Sequence, residues 1–68
     1  MFKRIIIDAL TDRYNAQISE AEATMKIYLE KPVGIGEHSD LVSAVDHEVA
    51  KLANARDKLN TLHEFWEC

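Results

Sequence analysis

Cysteine occurs once, at Cys68, and proline once, at Pro32; the two glycines are Gly34 and Gly36. A single cysteine cannot form a disulfide within the chain, so the framework that props up many small secreted domains is excluded. A lone thiol fits a reducing compartment. The residues that break helices are confined to 32–36, which leaves a long uninterrupted stretch on either side. Positive charge is also scarce: eight Lys and Arg stand against twelve Asp and Glu, for a net charge of −4. Non-specific binding of nucleic acid or of an anionic membrane needs a basic face, and this balance argues against one. Long apolar runs are missing as well. Lys3 and Arg4 followed by Ile5, Ile6 and Ile7 resemble the start of a secretory leader, but Asp8 ends the run. A leader core takes about 7–15 apolar residues, and a membrane span roughly 20. The expectation is a cytoplasmic protein with neither a membrane nor a nucleic acid as partner.

Familiar catalytic and metal-binding patterns are absent too. No two of His38, His47 and His63 lie three or four residues apart, so no helix presents a histidine pair to zinc. His47-Glu48 begins like a zinc-protease helix, but Lys51 stands where the second histidine belongs. The weak metal candidates are Glu37, His38 and Asp40, three ligating side chains within four residues, two of which also suit the start of a helix. Gly34-Ile35-Gly36 lacks the Gly-Lys-Ser/Thr ending and the preceding strand of a phosphate loop, and Glu37 and Asp40 would repel a phosphate there. Glu20 and Glu22 are two apart and point to different sides of a helix, as do Asp46 and Glu48, so neither pair can share a magnesium ion. No arrangement of nucleophile, base and orienting acid is visible. Tyr14, Tyr28, Phe65 and Trp66 could stack a base, yet no basic cluster accompanies them, and packing explains them. The expectation is no enzyme activity and no cofactor.

What is present is helical periodicity. Arg4, Ile7, Thr11, Tyr14, Ile18, Ala21, Met25 and Tyr28 alternate in steps of three and four, the seam of a helix packed along its length. Asp12, Asn15, Ser19, Glu22 and Lys26 fall on the opposite side, in water. Asp8 and Asp12 are like charges four apart, and the positive end of the helix dipole offsets their repulsion. The helix must stop before Pro32, which disfavours the helical conformation at Lys31. Gly34 and Gly36 let the chain reverse, Val33 and Ile35 turn inward as a plug, and Ser39 or Asp40 caps the next helix. In the second helix Val42, Val45, Val49, Leu52, Arg56, Leu59, His63 and Trp66 form the seam, with Leu41, Ala55 and Leu62 in a neighbouring column. Arg56 and His63 are expected at the rim, stems packed and polar tips wet.

These patterns predict an all-α fold: one domain over 1–68, an antiparallel hairpin of helices at about 3–30 and 40–65, joined by a loop over 31–39. A chain this short buries only about 60% of its unfolded surface and usually needs a partner. The apolar stripe of the second helix is wider than the first helix can cover, and soluble monomers rarely leave such a face in water. A homo-oligomer follows, most simply a two-fold dimer forming a four-helix bundle. Its expected interface is Val42, Val45, Val49, Leu52, Leu59, Leu62 and Trp66 of the second helix, with Tyr14, Ile18 and Met25 of the first.

One stretch is distinctive. Pro32-Val33-Gly34-Ile35-Gly36-Glu37-His38-Ser39-Asp40, preceded by Met25-Lys26-Ile27-Tyr28-Leu29-Glu30, resembles small helical proteins of tailed phages, marine ones among them. In those a Pro-Val-Gly-x-Gly-Glu-His-x-Asp loop joins two helical segments, and the likeness covers roughly the last two-thirds of this chain. The resemblance implies a phage origin and a bacterial cytoplasm; it carries over no activity, cofactor or catalytic residue. The function expected is that of a non-catalytic interaction module that binds itself, and in a phage setting a host or phage protein. The alternative is a small-ligand or metal module built on residues 37–40.

Overall fold

A computed structural model describes residues 2–30 and 40–67. Its two helices are α1, Phe2–Glu30, and α2, Leu41–Glu67. Both agree with the expected bounds to within two residues, because no Gly or Pro interrupts either stretch. The helices run antiparallel: Lys3 meets Trp66 at one end, Tyr14 meets Lys58, and Glu22 meets Arg56 further along. The Cα trace forms a rod of 49 × 15 × 14 Å. The expected roles of Lys31, Val33, Gly34, Ile35, Gly36 and Ser39, and those of Glu37, His38 and Cys68, lie outside the described residues. Asp40 is described and stands exposed directly before Leu41.

The α1 seam follows its periodicity. Ile7 and Ala21 are buried, and Thr11, Tyr14, Ile18, Met25 and Tyr28 are half-buried, joined by Leu10 and Thr24. Asp12, Asn15, Ser19, Glu22 and Lys26 are exposed, as their side of the wheel requires. Arg4 is not part of the seam: it is exposed, and its guanidinium donates to Asp8 Oδ1 at 3.3 Å. No acid occupies the first turn of α1. Asp8 is therefore held by Arg4 one turn before it rather than by the helix dipole, an exposed pairing worth about 0.3–0.5 kcal/mol.

The α2 seam differs from the expected one. The buried side runs through Leu41, Val45, Glu48, Leu52, Ala55, Leu59 and Leu62, with Ala44 and His63 at its edges. Val42, Val49 and Arg56 face outward. The reason is that a helix rotates as one body. Turning the 41-48-55-62 column inward exchanges Val42 for Leu41 and Arg56 for Ala55 and brings Leu62 in beside the half-buried His63, and each of these favours burial. The same turn exchanges Val49 for Glu48, which opposes it. Three favourable levels outweigh one, since each methylene group taken out of water gains about 0.8 kcal/mol.

The Ala55 level shows what the rotation achieves. Ala21 and Ala55 are 1% and 2% exposed. The residues that follow them, Glu22 and Arg56, meet at 3.1 Å, which puts the two alanines in the same stretch of the seam. Small side chains on both sides let the backbones approach, and the long ones beside them bridge the rim. That ion pair is half in water on both sides. Arg56→Ala is therefore expected to cost less than about 1 kcal/mol. A double-mutant cycle with Glu22→Ala, read by thermal unfolding, measures it.

Candidate interaction surface

The residues expected at an oligomer interface divide into two groups. Tyr14, Ile18 and Met25 of α1, and Val45, Leu52, Leu59 and Leu62 of α2, are half-buried along the helix seam of the hairpin itself. Val42, Val49 and Trp66 stand outside it, at 78%, 44% and 43% exposed. Trp66 closes the open end of the rod. Its ring packs edge-on against Phe65, with centroids 5.0 Å apart and planes at 90°. The Lys3 ammonium lies 4.9 Å from the Trp66 ring centroid, joining the start of α1 to the end of α2. Lys58 sits more loosely over Tyr14, at 5.8 Å.

Only Ile7, Ala21 and Ala55 are buried apolar residues among those described, and no large side chain is fully buried. Two helices side by side can each shield one flank of the other and no more. The remaining apolar surface collects at the two ends of the rod. At the open end lie Phe2, Ile5, Ile6, Phe65 and Trp66, all exposed. At the loop end the surface is a furrow rather than a bulge. One recess is lined by Met25, Leu29 and Leu52, with Glu22, Lys26 and Arg56 at its margin. A second is lined by Leu29, Leu41, Val42 and Val45, with Asp46 at its edge. Leu29 belongs to both, so the two recesses form one apolar trough. Val49, two helical turns beyond Val42 on the same column of α2, is exposed but lines neither recess.

Leu29 is the residue that periodicity alone passed over. It lies outside the strict seam, yet it follows Met25 by four residues, and that spacing is the signal for a widened stripe. Glu48 was also unforeseen at the core: it is 6% exposed. Its Oε2 accepts from Lys51 Nζ at 3.3 Å, while Oε1 is buried with no hydrogen-bond partner.

Glu37 and His38, two of the weak metal candidates, lie outside the described residues. Asp40 and His47 are exposed and His63 is half-buried. Among the described residues no group of three His, Cys, Asp or Glu side chains gathers as a metal site. Nor is any helix among them long and apolar enough to cross a membrane. Comparison of the chain with protein-family models, curated proteins and solved structures finds no match.

Proposed function

We propose that this protein is a non-catalytic interaction module that works as a homo-oligomer, its hairpins packing together into a four-helix bundle. The observation that carries this reading is the missing core. Among the described residues nine large apolar side chains are exposed, against three buried apolar residues of which two are alanines. A monomer of this shape would leave an apolar patch in water at each end of the rod, and large exposed patches mark interaction surfaces. Self-association removes it and supplies the staple that so short a chain needs. The resemblance of residues 25–40 to phage proteins adds a setting: a bacterial cytoplasm in which the assembled module engages a host or phage protein.

Native mass spectrometry and analytical ultracentrifugation test the reading. The expected result is a mass that is a multiple of one chain, with nothing else bound and with the helical signal retained. One chain mass at full helicity would sink it. His38→Ala is expected to leave both mass and helicity unchanged. Loss of a bound metal or small ligand in that variant would put residues 37–40 first instead.

A further inference from the structure

The geometry points to the trough at the loop end as the surface on which a second copy of this chain docks, by a two-fold contact of like with like. This deepens the self-association proposed above and rests on it. Three observations favour this surface and this occupant.

The first is area. The chain has 5360 Å² of accessible surface for a mass of 7.8 kDa. A compact monomer of that mass exposes about 4400 Å². The excess is about 1000 Å², close to the roughly 800 Å² that each partner contributes to a standard interface. One contact with one copy thus brings the chain to the surface expected of a finished protein.

The second is shape. The trough is a shallow, open recess with an apolar floor: Met25, Leu29 and Leu52 line one part, Leu29, Val42 and Val45 the next, and Leu29 is common to both. The inward turn of the 41-48-55-62 column of α2 is what leaves Val42 and Val49 on its bank. At the open end the Trp66 ring already has partners, while Phe2, Ile5, Ile6 and Phe65 stay exposed. Phe65 packs on Trp66, and Lys3 covers the Trp66 ring.

The third is charge. The rim of the trough carries Glu22 and Lys26 from α1 and Asp46 and Arg56 from α2; Glu22 and Arg56 pair with each other within the chain, which leaves Lys26 and Asp46, of opposite sign on opposite helices, for a second copy. A two-fold axis parallel to the rod lays α1 of one copy over α2 of the other. Lys26 then comes beside the second copy's Asp46, and the same pair recurs on the far edge. A self-complementary contact needs this pattern, because each surface must supply both halves. Apolar centre and charged rim together reproduce the usual anatomy of an interface.

The test is sedimentation equilibrium of the full chain and four variants across a dilution series, with circular dichroism on each. Val42→Glu with Val49→Glu places four like charges in the contact and is expected to weaken the dimer at least ~100-fold, since like charges brought together cost several kcal/mol. Lys26→Asp alone is expected to weaken it about tenfold, and adding Asp46→Lys to restore it, as rim charges act in pairs. Ile6→Glu, at the other end, is expected to leave it intact. A wild-type monomer would overturn the self-association itself. A wild-type dimer that survives the valine pair, or that Ile6→Glu destroys, would leave self-association standing and overturn this surface. Should the valine variant lose helicity along with mass, the exposed charge swap decides: failure of Asp46→Lys to restore the Lys26→Asp dimer counts against the trough.

Discussion

Glu48→Leu is expected to raise the melting temperature of this protein by roughly 10 °C, the response of a small domain to about 2 kcal/mol. Glu48 lies on the buried column of α2, and one carboxylate oxygen has no partner. A buried polar atom left unpaired costs about 1–3 kcal/mol, and leucine removes that cost while adding apolar surface to the seam. Against this stands the loss of the Lys51 contact. Lys51 is half-exposed and only three residues away, so the pair stabilises the helix by no more than about 0.5 kcal/mol. The balance favours leucine. Glu48→Gln separates the contributions: it removes the charge but keeps polar atoms in the seam, and its gain should be much smaller. Thermal unfolding followed by circular dichroism at one fixed protein concentration measures both, since association makes the midpoint concentration-dependent. An unchanged or lower midpoint for Glu48→Leu would mean that the carboxylate contributes to stability where it sits.

Ala21→Leu is expected to do the opposite, lowering the midpoint by roughly 10 °C, as overpacking costs about 1–3 kcal/mol. Ala21 and Ala55 are the two buried small residues among those described, one on each helix. A leucine there has no space to enter and must push the backbones apart. The separation would also break the 3.1 Å contact between Glu22 and Arg56 beside it. Ala16→Leu is the control. Ala16 has the same helix propensity and stands exposed on the same helix, so the change should be nearly neutral. Equal melting temperatures for the two leucine variants would rule out the close approach at Ala21 as a determinant of stability.

The two substitutions probe different origins of the fold. The helices are legible from the chain alone. Gly and Pro are confined to residues 32–36, and the three-four spacing on either side admits no other regular structure over such lengths. The packed face of α1 is legible for the same reason: one narrow stripe, from Ile7 to Tyr28, with charged and amide side chains opposite. The trough was only half visible. Met25, Val42, Val45, Val49 and Leu52 stand out as apolar, but nothing local separates those that fill the hairpin seam from those left outside it.

That separation belongs to the tertiary structure. In α2 two adjacent columns compete, Val42-Val49-Arg56-His63 and Leu41-Glu48-Ala55-Leu62, and each carries a flaw that the periodicity does not rank. Hydrophobic spacing identifies a stripe; within a stripe this wide it cannot choose the line of closest approach. The choice is made level by level against α1, where Ala55 fits Ala21 and Arg56, turned outward, reaches Glu22. Because the helix turns as a rigid body, that one decision also buries Glu48 and exposes Val42 and Val49. The chain by itself determines two long helices and the side of α1 that packs. Only their mutual fit decides the rotation of α2, and with it the acid held inside the seam and the apolar surface left for a second copy.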